Sequence, residues 1–121
     1  KTIAVWIKDR LKTRKVRAAR VEEVGKIVTA AMERALGEPM QYKSRIRTFY
    51  DARLIMANWL YNHYLTLAEV GSIIHKDYST VHWILGKTYL IKQCSETKEL
   101  NEKFLKEIEN ENVSTQKSSR S

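Results

Sequence analysis

Apolar positions recur at helical spacing along most of this chain, and no segment alternates for long enough to read securely as a sheet strand. The clearest run is 20–36, where Val21, Val24, Val28, Ala31, Met32 and Ala35 share one side of a 3.6-residue repeat. Gly37 follows as a C-terminal stop, with Pro39 two residues on. Residues 49–63 are dense in Leu, Ile, Met and Ala and carry Trp59 and Tyr61. A helix apolar around most of its girth is the central, buried one of a fold. Thr66 is placed to cap a short helix from Leu67 to Ile74, with Glu69 as the reciprocal partner of a capping box. His75-Lys76-Asp77-Tyr78 breaks the pattern. Asp77 or Ser79 then caps a further helix expected to continue to about Gln93. On it Val81, Ile84, Leu85 and Thr88 share one side; Ser79, Trp83, Gly86 and Leu90 share the other, flanked by Thr80 and Lys87.

The two ends differ from this middle. Residues 3–18 make a helix with Ile3, Trp6, Ile7 and Leu11 on one side and a basic surface on the other, or begin as a short extended segment; periodicity does not choose. Residues 96–109 predict an acidic helix carrying Leu100, Phe104, Leu105 and Ile108, and the Ser-, Asn- and Lys-rich end reads as disordered. The expected architecture is all-α with five to six helices. It comprises a basic segment 1–19, a domain over 20–95, an acidic helix 96–110 and a tail 111–121.

Composition narrows the class. At 121 residues, 43% of them apolar and 30% charged, the chain suits one soluble domain with tails. One cysteine excludes an internal disulfide framework and any Cys-only zinc site, and makes a reducing, cytoplasmic setting the expectation. His63, His75 and His82 with Cys94 match no usual zinc spacing, so no metal and no cofactor are expected. There is no phosphate loop, no His-Glu-x-x-His and no nucleophile with a convincing base, so no enzyme is expected either.

Charge gives the first functional direction. The formal net charge is +8. Residues 1–20 are strongly basic, Lys43-Ser44-Arg45-Ile46-Arg47 form a basic connection, and 96–111 reverse the sign with six glutamates against three lysines. A positive field recruits polyanions, and nucleic acid is the commonest. A short helix, a brief break and a second helix opening on small hydroxyl residues is also the grammar of a helix-turn-helix. There the second helix presents its first turn to major-groove base edges, and its free N–H groups favour a phosphate.

Ala52-Arg53, Thr66-Leu67-Ala68-Glu69-Val70-Gly71, Lys76-Asp77-Tyr78-Ser79-Thr80-Val81 and Lys87 follow one another in an order and spacing that resembles the C-terminal DNA-binding domain (domain IV) of the bacterial replication initiator DnaA. That family reads Ala-Arg, Ser-Leu-Pro-Glu-Ile-Gly, Arg-Asp-His-Ser/Thr-Thr-Val and a later lysine. Val21 to Gly37 resembles its leading helix, and Lys43 to Arg47 its basic loop. The likeness spans about 20–95 and implies a fold related to the Trp repressor helix-turn-helix. It implies that Arg45 enters the minor groove while Lys43 and Arg47 hold phosphates. Leu67 and Ala68 would touch thymine methyls. Asp77, Tyr78 and Ser79, beside Lys76, would read major-groove bases, and Thr80 and Lys87 would bind backbone. Tyr78 stands where the family has His, Ala68 where it has Pro, and Ile74-His75 where a one-residue-longer Gly-Gly loop stands. These departures leave the fold and duplex binding expected but bear on the family's nine-base-pair box, since one changed reading residue alters discrimination by about 1–3 kcal/mol per base pair.

The expected function is that of a sequence-preferring double-stranded DNA-binding protein, a free-standing relative of the initiator domain, nucleoid-associated and active in replication or transcription control. One alternative is an excised piece of a longer initiator, since the chain does not begin with Met. Another is a helical interaction module that holds a protein partner, or a second copy, through the Trp83 face or the acidic helix. RNA binding is less favoured, because no sheet carries aromatics for stacking bases. Segment 1–19 could lie on DNA or on a membrane surface, and the basic domain beside it favours DNA. Gly71 is expected to permit close helix packing, and Cys94 to be a partly buried free thiol.

Overall fold

Helix formation follows the apolar repeat, and the densest apolar segment becomes the centre. The computed structural model describes residues 17–120. Among them are six helices and no strand: α1 Arg17–Leu36, α2 Arg47–Asn62, α3 Leu67–Ile74, α4 Tyr78–Leu85, α5 Leu90–Gln93 and α6 Ser95–Arg120. Most of the basic N-terminal segment, and with it the choice between helix and extended chain at 3–18, lies outside the described residues. Among the described residues no helix is long and apolar enough to cross a membrane.

Helix α2 contacts α1, α3, α4 and α6. Ala52, Leu54, Ile55, Met56, Ala57 and Leu60 on it are fully buried, in one core with Val24, Val28, Ala31 and Met32 of α1 and Phe104 of α6. Removing the Val, Leu, Ile, Met and Phe side chains among them from water supplies about 1.5–3 kcal/mol each. The acidic helix α6 is thus part of the core: Phe104 and Ile108 are buried, Phe104 meets Trp59 edge to face, and Arg34 Nε donates to Glu107 Oε2 at 2.8 Å. α6 runs on to Arg120, past the 110 boundary where composition predicts a tail. No Gly or Pro interrupts 95–120, and a formed helix propagates one bond per residue.

The ends of the helices match their sequence signals. Gly37 has φ +77° and donates its N–H to Glu33 at 2.9 Å, closing α1 in the left-handed conformation that glycine adopts without strain. Both bonds of the Thr66–Glu69 capping box are present, at 2.9 and 3.2 Å. Asp77, not Ser79, caps α4 and accepts the Thr80 N–H at 2.8 Å. Gly71 allows α3 to lie close to the turn that follows: a Cβ there would sit 2.3 Å from the Lys76 carbonyl oxygen.

One expectation fails. The helix beginning at Tyr78 does not reach Gln93 unbroken; it stops at Leu85, and α5 is a separate turn. From Gly86 on the bonds tighten to i→i−3, with Lys87 N–H on Ile84, Thr88 on Leu85, Leu90 on Lys87 and Ile91 on Thr88. The gain from this tighter winding is packing. Leu90, placed on the outer side by uninterrupted α periodicity, packs on the core together with Ile91.

Candidate nucleic-acid interface

The predicted reading residues gather at the start of α4. Asp77 caps it, and Tyr78, Ser79 and Thr80 form its first turn. Tyr78 is 64% exposed and Ser79 is exposed, whereas Val81 and Ile84 behind them are buried. Hydrogen bonds from the Thr80 hydroxyl and then from its backbone N–H hold the Asp77 carboxyl below the usual aspartate range, so it stays ionised near neutral pH. His75 reaches the turn in the left-handed conformation, φ 60°, and its backbone N–H closes α3 on Gly71. Lys76 is half-buried.

The basic loop is pinned from three sides. Arg53 projects from α2, almost wholly buried, and donates Nη1 to the Gln41 and Tyr42 carbonyls at 3.2 and 3.0 Å and Nη2 to Ser44 at 2.9 Å. Burial pulls its guanidinium down from the ordinary arginine value, though arginine stays charged in proteins. From α1, the Thr29 and Tyr42 hydroxyls share a 2.8 Å hydrogen bond, and Glu33 accepts the Met40 N–H at 2.8 Å. From the α3–α4 turn, His75 meets the Tyr42 ring edge-on with centroids 4.4 Å apart. The loop that exposes Lys43 and Arg45 therefore stands beside the turn that leads into Asp77 and Tyr78. Gln41, Tyr42, Lys43, Ser44 and His75 line one shallow pocket between them.

The remaining candidates fall differently. Arg47 opens α2 and is turned to two neighbours, Asp51 Oδ1 at 3.4 Å and Cys94 Sγ at 3.0 Å. Leu67 is half-buried and packs on the core, and Ala68 is exposed at the start of α3. Lys87 is half-buried, with Nζ 4.0 Å from the centroid of the Trp83 ring. Trp83 itself is 56% exposed. The three histidines serve separate contacts: His63 bonds the Trp59 carbonyl and stacks on its ring, His75 packs on Tyr42, and His82 is exposed. Among the described residues no three His, Cys, Asp or Glu side chains converge as metal ligands would.

Two organising residues carry no role in the sequence reading. Arg53 is one; its signal is a guanidinium within a helical stretch dense in Leu, Ile, Met and Ala, where it needs buried acceptors. Tyr42 is the other, joining α1 to the turn, and nothing in its neighbourhood of the sequence announces it. No protein-family model, curated protein or solved structure matches this chain.

Proposed function

We propose that the protein binds double-stranded DNA with sequence preference and performs no catalysis. In this reading α3 and α4 act as a helix-turn-helix of the kind found in the DnaA domain IV that the sequence resembles. The supporting observation is the shared location of two features of unlike chemistry. An exposed helix start bearing an acid, a phenol and hydroxyls lies next to a clamped loop bearing exposed Lys43 and Arg45. The first suits base edges, which need donors and acceptors of fixed position. The second suits phosphates and the minor groove, which need cations. Trp83 extends the outward face of α4 by one turn, and Lys87 beside it suits a phosphate.

Selection of bound duplexes from a random pool tests the reading, with enrichment of one short motif as the expected result. Arg45→Ala/Asp77→Ala/Lys87→Ala should lose most affinity for that motif, and wild-type binding should weaken steeply with salt. Full duplex affinity in the triple variant would sink the proposal and favour an interaction module acting through the exposed Tyr78 and Trp83.

A further inference from the structure

The turn from α3 to α4 closes on Gly71, whose carbonyl accepts the N–H groups of both His75 and Lys76. This closure holds His75 at φ 60° and ψ 43°, the left-handed conformation in which a Cβ crowds its own backbone. Glycine is the usual residue at that position after a helix, because it has no Cβ to crowd. His75 brings a ring instead, and the ring meets Tyr42 edge-on with centroids 4.4 Å apart. Tyr42 is itself fixed from two helices. Its hydroxyl shares the 2.8 Å bond with Thr29 of α1, and its carbonyl accepts from Arg53 of α2 at 3.0 Å. His75 stands two residues before Asp77, the cap of α4, and Tyr42 one residue before Lys43 of the basic loop. Along the chain these two tips are separated by the whole of α2 and α3, so their relative position is set by tertiary contact. The ring pair is such a contact, close to both.

We infer that His75 is a positioning residue for recognition. Packed on Tyr42, it fixes the offset between the basic loop and the start of α4. The protein then takes duplexes whose minor-groove and major-groove elements stand at one spacing. The inference rests on the DNA-binding reading above. Successive base pairs lie about 3.4 Å apart along the duplex, so a joint held to well under that step rejects a site lengthened by one pair. Without the ring, loop and turn shift independently. Both spacings then become accessible, each at the cost of ordering the joint on binding. His75 acts through Tyr42 and the loop, not through a base of its own.

The test begins with wild-type selection from a random duplex pool, which should enrich a motif in two parts at a single spacing. That duplex and one with a base pair inserted between the parts are then titrated with wild type, His75→Gly, Tyr42→Leu and Tyr42→Phe. Wild type should favour the original spacing by about tenfold or more. His75→Gly and Tyr42→Leu should reduce the preference to about threefold or less, whereas Tyr42→Phe keeps the ring pair and should keep most of it. His75 is exposed and glycine relieves the left-handed backbone, so His75→Gly should lower the thermal unfolding midpoint by no more than about 2 °C. Should Tyr42→Leu fail to fold, His75→Gly decides. A wild-type motif of one part, an unchanged ratio in His75→Gly, or an equal loss of affinity for both duplexes overturns the inference and leaves DNA binding standing. A wild-type selection that enriches no motif overturns both.

Discussion

Helices α2 and α4 touch each other but are built on opposite rules. Ten of the sixteen residues of α2 are buried, including Asp51 and Arg53, and every other helix except the short α5 is arranged around it. In α4 only Val81 and Ile84 of eight residues are buried, and its outward side carries Tyr78, Ser79, His82 and Trp83. Stability is therefore concentrated in α2, while α4 is held by two aliphatic anchors, one cap and the close approach at Gly71. Large aromatics left mostly in water on the less buried helix contribute little to folding. Their presence is what makes that side a candidate for recognition.

The comparison can be broken most directly at its strong end. Leu60→Ala removes a fully buried side chain of α2 and should cost about 2–5 kcal/mol, read by urea or thermal unfolding. Arg53→Ala should cost about 2–3 kcal/mol by leaving three carbonyls without their charged donor. It should also weaken duplex binding more than its stability loss explains, because Lys43 and Arg45 lose their fixed loop. Gly71→Ala tests the seam between α3 and the turn. Its Cβ would collide with backbone at Lys76, so a loss of about 1–3 kcal/mol is expected, well beyond the usual gain of alanine over glycine in a helix. Trp83→Ala sharpens the contrast from the other side, with a stability change under about 0.5 kcal/mol and a clear loss of affinity for the selected duplex. The smallest effect is that of acid on α4. The cap lowers Asp77 in the folded state, so its contribution is complete above the ordinary aspartate range and disappears as pH falls through the lower folded value. Comparing acid titrations of wild type and Asp77→Asn by thermal unfolding should show that difference closing toward low pH.

Helices α1, α2 and α3 were legible because their burial follows the periodicity of single segments. Thr66, Glu69, Asp77 and Gly37 were legible as boundaries because capping is local chemistry, decided within three or four residues. The interruption after Leu85 was not legible. Nothing between Gly86 and Tyr89 forbids α-helix, and the tighter winding is fixed by where Leu90 and Ile91 meet the rest of the core. The placement of α6 was half-legible. Phe104 and Ile108 marked an apolar side, but the acidic charge suggested a separate appendage rather than a wall of the core. At the candidate interface the exposed residues were visible in the sequence. The supports were not, because Arg53–Ser44, Tyr42–Thr29 and Tyr42–His75 join residues distant along the chain.

Arg53 answers to carbonyl dipoles, not to a carboxylate. Dissolved sodium and chloride have no counter-ion to exchange there, whereas they compete directly for any phosphate held by Arg45. If the loop holds nucleic acid as proposed, brine that strips the protein from it would leave the loop in the same shape. The next encounter would begin from a hand already formed, with little ordering entropy left to lose.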